Sequence, residues 1–184
     1  MAKLLNKTIM QKVAHFIIAV AACICIVSFM PYNKEKVQWL TVAELKEAYS
    51  KNPKPILVDV YTSWCGWCKV MDRETYAKDD VAAYINEKYY AVKLDAESKE
   101  TFEWNGKKYE YKPEYKSNEL AVYLLYGQMS YPTTVFLSGI DAQPAPLAGY
   151  LKPKELEAPL KFFGDGAYKT KNYPEFMKSF TPSW

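Results

Sequence analysis

Two cysteines separated by two residues are the strongest candidates for chemistry in this chain. Cys65 and Cys68 stand in the order Cys-Gly-Trp-Cys, directly after an apolar, β-rich run at residues 56–61 and at the start of a predicted helix over residues 65–76. Free N–H groups and the dipole at a helix N-terminus favour an anion, so this position lowers the pKa of the Cys65 thiol and makes it a nucleophile. Cys68, one helical turn further on, can then attack a mixed disulfide formed by Cys65 and release the reduced partner.

Two structural roles compete with this redox interpretation. A stabilising disulfide between the two cysteines closes a loop of about four residues, and loop entropy predicts only roughly 2 kcal/mol from so short a loop. A structural zinc site needs four ligands. The other cysteines and the single histidine, Cys23, Cys25 and His15, all precede residue 31. We therefore expect no metal site, unless two copies share one, and no histidine base in the domain.

The first 30 residues have the pattern of an export segment. Lys3, Lys7 and Lys12 precede an apolar run over residues 13–30. This pattern predicts a signal peptide or an N-terminal membrane anchor over residues 1–30, since the run is long enough for either. The lysines should stay in the cytoplasm, which places the rest of the chain outside. Lipidation at Cys23 is a third interpretation, ranked lower because the apolar run continues beyond that residue.

Composition predicts one globular domain after this segment. About 150 residues remain, enough to bury a core, and 49% of the chain is apolar and 24% charged. The net charge is +3, and no dense basic run is present. We therefore expect no nucleic-acid partner.

Local patterns predict alternating helices and strands around the cysteine pair. Thr41 and Glu44 form a capping box, Asn105-Gly106 is a hairpin turn signal, and Gly127 closes a helix. This order of elements predicts an α/β fold with a mixed sheet around one core. The predicted elements are helices 41–49, 65–76, 81–88 (capped by Asp79 or Asp80), 117–126 (capped by Ser117), 154–163 and 174–180, strands 56–61, 89–95, 133–137 and 145–150, and a hairpin at 101–111.

Three segments together resemble a known family. Residues 58–69 resemble the active-site strand and motif of thioredoxins, Tyr131-Pro132-Thr133 resembles their cis-proline loop, and Gly149 fits their late glycine. Residues 69–76 are similar to the following helix of envelope thiol–disulfide interchange proteins of the DsbD C-terminal-domain type. The resemblance covers about residues 37–163.

The resemblance implies a thioredoxin fold, with a central mixed sheet flanked by helices and a hairpin insertion before the cis-proline loop. It implies a thioredoxin-like domain over residues 31–163 and a C-terminal extension over residues 164–184.

The resemblance also implies roles for two charged residues. Asp59, six residues before Cys65, matches the family's buried acid, whose pKa is raised by an apolar strand and which relays a proton to or from Cys68. The alternative is an aspartate at a strand edge that faces water. Lys93 is similar to the lysine beside that acid, and a solvated lysine on a strand face is an equally supported alternative.

Five residues are expected to contact substrate. The resemblance implies that Pro132 is cis and that the main chain of Tyr131 pairs with an extended substrate segment beside the cysteines. Trp64, Gly66 and Trp67 should form an apolar rim for the substrate, although Trp64 could also pack on the domain. The aromatic residues of the hairpin, Phe102, Trp104, Tyr109 and Tyr111, are expected to cover the core rather than dock a partner.

These expectations describe an exported thiol–disulfide oxidoreductase of the cell envelope, on the periplasmic or extracytoplasmic face, either anchored or secreted. The resemblance favours reduction of protein disulfides with electrons from a transmembrane donor. Trp67 stands where thioredoxins carry proline, which leaves the direction of electron flow open. The alternatives are a disulfide oxidase or isomerase, and a binding module that does not use the cysteines.

Overall fold

Five strands form the central sheet of residues 35–184, the part of the chain that this computed structural model describes. The sheet strands are β1 (Trp39–Leu40), β2 (Ile56–Tyr61), β3 (Tyr90–Asp95), β8 (Thr133–Leu137) and β9 (Ala145–Ala148). Their order across the sheet is β1-β3-β2-β8-β9. Strands β1 and β2 run parallel to β3, β8 runs antiparallel to β2, and β9 runs antiparallel to β8.

Helices flank this sheet, which confirms the predicted α/β class. No helix within residues 35–184 is long and apolar enough to span a membrane. The predictions for residues 1–30, including lipidation at Cys23, lie outside the described residues. The α-helices are α1 (Val42–Lys51), α2 (Gly66–Met71), α3 (Asp79–Lys88), α4 (Glu119–Leu124), α5 (Pro153–Gly164) and α6 (Tyr173–Ser179).

The capping box of α1 is confirmed. The Thr41 hydroxyl oxygen accepts from the Glu44 N–H at 3.2 Å, and the Glu44 carboxylate accepts from the Thr41 N–H at 2.8 Å. The side chains of these two residues, three positions apart at the helix start, each accept a hydrogen bond from a backbone N–H group that has no partner inside the helix. This contact is local, which is why the pattern alone predicts it.

Two other predicted caps are wrong. Helix α3 begins at Asp79 with Lys78 as its N-cap, so Asp79 and Asp80 lie in the first turn, where their charge favours the helix dipole. Helix α4 is capped by Asn118, whose side chain accepts from the Leu120 N–H at 3.0 Å. Ser117 instead pairs with Lys112 in a short ladder.

The helix after the cysteines changes its winding. It is α-helical over Gly66–Met71 and continues as a π-helix over Asp72–Tyr76. The N–H of Asp72 donates to the carbonyls of both Cys68 and Lys69. Such π-turns are rare and frequently occur at functional sites.

The predicted hairpin is present as β4 (Phe102–Trp104) and β5 (Lys107–Tyr109). Asn105 and Gly106 both have positive φ, 48° and 74°, as the two-residue turn requires. Trp104 and Tyr109 are buried in a core cluster, and the Trp104 indole donates to the Ile140 carbonyl at 3.1 Å. A second small ladder follows, β6 (Tyr111–Lys112) with β7 (Ser117–Asn118).

Strand β2 lies in the middle of the sheet and contributes to both core layers. Val58 and Val60 face a layer that includes the hairpin and α4, whereas Leu57 faces a layer that includes Met71 of α2 and Leu156 of α5. Side chains alternate along a strand, so Asp59 lies on the same face as Leu57. The buried acid therefore faces the layer that contains the helix after the cysteines.

Candidate redox site

Cys65 and Cys68 are joined by a disulfide bond between the end of β2 and the start of α2. Their Cα atoms are 5.4 Å apart, and each residue is 4% exposed. Cys65 is the N-cap of α2, and the Cys68 N–H donates to the Cys65 sulfur at 3.0 Å. An N–H donor at a helix start stabilises negative charge on that sulfur.

Asp59 is buried in the middle of β2, on the face that it shares with Leu57. It is 1% exposed, in register with Lys93 on one side and Thr134 on the other, so the alternative of a water-facing aspartate is wrong. Burial raises the pKa of Asp59 to about 7, even though the charge of Lys93 lowers it. Its Oδ1 atom accepts no hydrogen bond from the described residues.

Lys93 is shared between two carboxylates and is not a freely solvated lysine. Its Nζ lies 3.4 Å from Asp59 Oδ2 and contacts Asp72 Oδ1 directly. The negative charge of Asp72 raises the pKa of Asp59 further. The Asp72 side chain is 40% exposed, so this row of charges connects the buried acid with solvent.

Asp72 is a site residue that the sequence interpretation missed. It follows Cys68 by four positions, which places both side chains on one helix face, and that spacing was the available signal. Its contact with Lys93 depends on packing between helix and sheet.

Trp64 directly precedes Cys65 and Trp67 lies between the two cysteines, and 65% and 62% of their surfaces are exposed. The Trp64 indole N–H donates to Glu97 Oε1 at 3.0 Å. The Trp64 and Tyr131 rings pack edge to face, with their centroids 5.9 Å apart. The Trp67 ring stacks on the Tyr150 ring, with their centroids 5.6 Å apart. Both rings are thus held in place while most of the surface of each remains exposed to a partner.

Glu97 and Tyr150 were also missed as neighbours of these rings. Tyr150 directly follows Gly149, which the resemblance singled out, and that adjacency was the only local signal. The Tyr150 hydroxyl donates to Glu74 Oε2 at 3.1 Å. No local pattern marks Glu97, which lies 33 residues from Trp64.

The Tyr131–Pro132 peptide bond is cis, as the resemblance implies. The Pro132 carbonyl accepts from the Gly149 N–H at 2.8 Å, which ties this loop to the end of β9. Within residues 35–184, neither the N–H nor the carbonyl of Tyr131 bonds to another main-chain group. Gly66, between the cysteines, is exposed and has no atom within 4 Å of the position of a side-chain carbon.

The predicted site residues lie on β2, on its neighbour β3 and around the start of α2. Lys93 links the buried Asp59 to Asp72, which follows α2, and Trp64 and Trp67 connect the cysteine motif to Tyr131 and Tyr150. In the described part of the chain, no group of three histidine, cysteine or acidic side chains is arranged to hold a metal ion.

Comparison with known proteins agrees with this geometry. The family model described as Thioredox_DsbH, protein of unknown function DUF255, matches residues 28–164. A thioredoxin-like protein of Synechocystis is 33% identical over 55 residues, which cover 30% of this chain and 50% of that protein. The chain spans half or less of the length of the curated relatives it matches.

Two solved structures share the fold at low sequence identity. A structure described as a DsbH oxidoreductase has a TM-score of 0.52 at 20% identity and covers 77% of this chain and 91% of its own. A thioredoxin-fold protein from Helicobacter pylori has a TM-score of 0.53 at 22% identity and covers 69% of this chain and 80% of its own. The predicted thioredoxin fold is confirmed.

The family match covers well over half of the chain, and the fold carries a disulfide-bonded Cys-Gly-Trp-Cys motif at a helix start, an arrangement that supports thiol–disulfide oxidoreductase chemistry. The chain belongs to the Thioredox_DsbH family of thioredoxin-like proteins and is a redox protein with the dithiol pair Cys65 and Cys68.

Proposed function

We propose that this protein reduces disulfide bonds of other proteins on the extracytoplasmic side of a membrane. The single observation that carries the proposal is a Cys65–Cys68 pair at the start of α2 together with a buried acid, Asp59, of pKa about 7 on the face of β2 toward the layer that contains α2. A nucleophile at a helix start and a base that titrates near neutral pH are the two groups that disulfide exchange needs.

The first step uses Cys65. In the reduced protein, its thiolate is stabilised by the Cys68 N–H and attacks one sulfur of the substrate disulfide. A bond forms between the Cys65 sulfur and that substrate sulfur, and the substrate disulfide breaks. The other substrate sulfur leaves as a thiolate and takes a proton from water.

The second step uses Cys68 and Asp59. The ionised Asp59 carboxylate accepts the proton of the Cys68 thiol, and the Cys68 thiolate attacks the Cys65 sulfur. The mixed disulfide breaks, the second substrate thiolate leaves, and the chain ends with the Cys65–Cys68 disulfide seen in the structure. The substrate gains two electrons and the dithiol loses two, so a reduced donor must restore the dithiol.

Lys93 has a positioning role in this scheme. Its charge lies 3.4 Å from the Asp59 carboxylate and opposes the effect of burial on the pKa of that acid. Without this cation the carboxylate would ionise only at higher pH.

Substrate binding is proposed for the exposed rim and the neighbouring loop. Trp64, Gly66 and Trp67 offer an open apolar surface around the two sulfurs. The unpaired main-chain groups of Tyr131, next to Pro132, can form strand-like hydrogen bonds with an extended substrate segment.

The compartment and the electron donor are proposals from the sequence. Three lysines followed by the apolar run support export or anchoring of residues 1–30. Sustained reduction outside the cytoplasm needs electrons delivered across the membrane, so we propose a transmembrane thiol protein as donor. Protein disulfides are the proposed substrates.

The reduction potential of the Cys65–Cys68 pair tests the direction of electron flow. The measurement equilibrates the full chain, with Cys23 and Cys25 replaced by serine, against thiol–disulfide buffers. A value near about −270 mV supports a reductase, whereas about −120 to −180 mV would assign the protein to the oxidases or isomerases.

Single replacements of the cysteines test the mechanism. Cys65→Ser should abolish reduction of a peptide disulfide, and Cys68→Ser should trap a mixed disulfide on Cys65. If Cys65→Ser retained full reducing activity, the proposed mechanism would be wrong. If the unmodified protein reduced no disulfide at all but bound partners equally well with and without Cys65, a binding module would replace the enzyme.

A further inference from the structure

A groove begins at Tyr150, the residue that stacks on Trp67 of the redox motif. We propose that this groove binds an acidic segment, carrying an apolar anchor residue, of the protein that exchanges electrons with the dithiol. The proposal rests on the proposed oxidoreductase function and adds the class of partner that it selects.

The groove has the size and lining of a binding site. Its volume is about 770 Å³, within the range of roughly 300–1,000 Å³ that is common for ligand sites. Its apolar lining comes from Tyr150, Val81, Pro153 and Trp184. An apolar side chain of a partner can be buried among these groups.

The groove is continuous with the redox site. Tyr150 lines it and also stacks on Trp67 at 5.6 Å, and Trp67 lies between the two cysteines. The Tyr150 hydroxyl is tied to Glu74, a second lining residue. A polypeptide whose disulfide lies at Cys65 can therefore extend across Trp67 and Tyr150 into the groove.

The wall at Trp184 is held in place before any partner binds. The Trp184 N–H donates to the buried Glu157 carboxylate at 3.2 Å, and its ring meets the edge of Tyr84 at 5.8 Å. The preceding residue, Ser183, donates to the same carboxylate through its N–H at 2.7 Å. A preformed wall lowers the entropy cost of binding.

Three lysines and three acids line the groove, and Arg73, which pairs with Glu74 at 2.7 Å, adds one positive charge at its edge. The three lysines, Lys78, Lys152 and Lys154, are exposed. Within residues 35–184, none of them has a carboxylate oxygen within 4.0 Å of its Nζ atom. Of the three lining acids, Glu74 already accepts hydrogen bonds from Tyr150 and Arg73, and Glu155 accepts from the Lys152 N–H.

Asp80 and Glu155 line the groove without a cation within 4.0 Å among the described residues, whereas three lining lysines have no acid within that distance, so the uncompensated charge is positive by one. Unpaired cations at the edge of an apolar groove favour a partner whose carboxylates surround its anchor residue.

The experiment compares three disulfides in single-turnover reactions with the pre-reduced full chain. One peptide disulfide has an apolar residue flanked by glutamates on each side of its cysteine, the second has lysines in place of the glutamates, and the third is neutral bis(2-hydroxyethyl) disulfide. The unmodified protein should react about tenfold faster with the glutamate peptide than with the lysine peptide at low salt.

The charge-reversal variant Lys152→Glu/Lys154→Glu should lose this preference, and its rate with the neutral disulfide should not change. The matched control Lys169→Glu/Lys171→Glu carries the same charge change at exposed positions that do not line the groove, and it should keep the preference. Trp184→Ala should slow the glutamate peptide about fivefold without slowing the neutral disulfide.

Three results would overturn the proposal: equal rates for the two peptides with the unmodified protein, a preference that survives the Lys152→Glu/Lys154→Glu change, or a loss of rate shared by the neutral disulfide. Dimerisation that this charge reversal abolishes would assign the groove to a second copy and would also overturn it. If the pre-reduced protein failed to react even with the neutral disulfide, the proposed function itself would fail.

Discussion

Two carboxylates, Asp59 in β2 and Glu157 in α5, are both buried, but their pKa values shift in opposite directions. Asp59 is 1% exposed and Glu157 is fully buried, and each has one lysine nearby. Lys93 lies 3.4 Å from Asp59, and Lys161 lies 2.7 Å from Glu157. Burial of an ionised carboxylate is costly unless hydrogen bonds or charges compensate it.

The two acids differ in how many hydrogen bonds compensate the burial. Glu157 accepts from Lys161, from the N–H and hydroxyl of Ser183, and from the N–H of Trp184. Burial raises the pKa of Glu157, but these hydrogen bonds outweigh it and leave the pKa below the usual value. Burial of Asp59, whose Oδ1 has no partner among the described residues, raises its pKa to about 7.

Burial alone therefore does not produce a proton-exchanging group. Glu157 stays ionised and fixes residues 183 and 184 onto α5, so its role is structural. Asp59 can gain or lose a proton near neutral pH because too few donors stabilise its charged form.

The largest expected difference between the two acids is in catalysis. Asp59→Asn should lower the rate of disulfide reduction at pH 7 by between about 10² and 10⁴-fold, since the base for Cys68 is lost. Glu157→Gln should leave the rate per folded molecule unchanged. The measurement is kcat/KM against pH, in which the rise centred at pH about 7 should disappear only in Asp59→Asn. Equal losses in both variants would contradict the comparison.

Stability should change in opposite directions. The folded pKa of Asp59 lies above its unfolded value of 3.8, so its ionisation destabilises the folded state as pH rises from about 4 to about 7. Asp59→Asn should therefore raise the free energy of unfolding above pH 7 by about 2–4 kcal/mol.

Glu157→Gln should lower the free energy of unfolding at pH 7 by about 2–3 kcal/mol, since buried donors lose a charged acceptor. This stabilisation is present above the unfolded pKa of about 4.5 and is lost as pH falls through the lowered folded pKa. Urea unfolding of the oxidised protein at pH 4, 5.5 and 8.5 measures both variants, and changes of the same sign at pH 8.5 would be inconsistent with the assignment.

Replacement of Lys93 should change the pH dependence of catalysis, whereas replacement of Lys161 should change stability. Lys93→Met removes the cation that lowers the pKa of Asp59, so the rise in kcat/KM should move to higher pH. Lys161→Met should leave that rise in place and lower the free energy of unfolding by about 1–2 kcal/mol. A pH profile that shifts in Lys161→Met would show that the two sites are coupled.

The smallest expected effect belongs to Asp72. Burial raises the pKa of Asp59 most, the charge of Lys93 lowers it, and the negative charge of Asp72 raises it by a smaller amount. Asp72→Asn should therefore move the rise in kcat/KM to lower pH. The change in kcat/KM at pH 7 should stay within about tenfold. Asp141→Asn, which removes an exposed acid that does not line the groove, is the matched control and should not shift the profile. An upward shift in Asp72→Asn would refute the shared-lysine arrangement.

Local patterns predicted much of the fold and of the redox pair. The capping box at Thr41, the Asn105-Gly106 turn and the apolar run before Cys65 each depend on a few consecutive residues. Helix ends were less accurate, since Asn118 rather than Ser117 caps α4. Two adjacent residues of similar capping ability, both buried here, cannot be separated without knowing which of them the chain places at the helix start.

Residue types and spacing alone predict that a Cys-Gly-Trp-Cys dithiol follows a buried strand at a helix start, because spacing and backbone propensities act over short distances. Which acids control and support the site depends on tertiary packing. Asp72 meets Lys93 across 21 residues, and Glu157 meets Ser183 across 26. These contacts depend on how helices pack on the sheet, and the number of donors that packing supplies to each carboxylate decides whether it holds its charge or exchanges a proton.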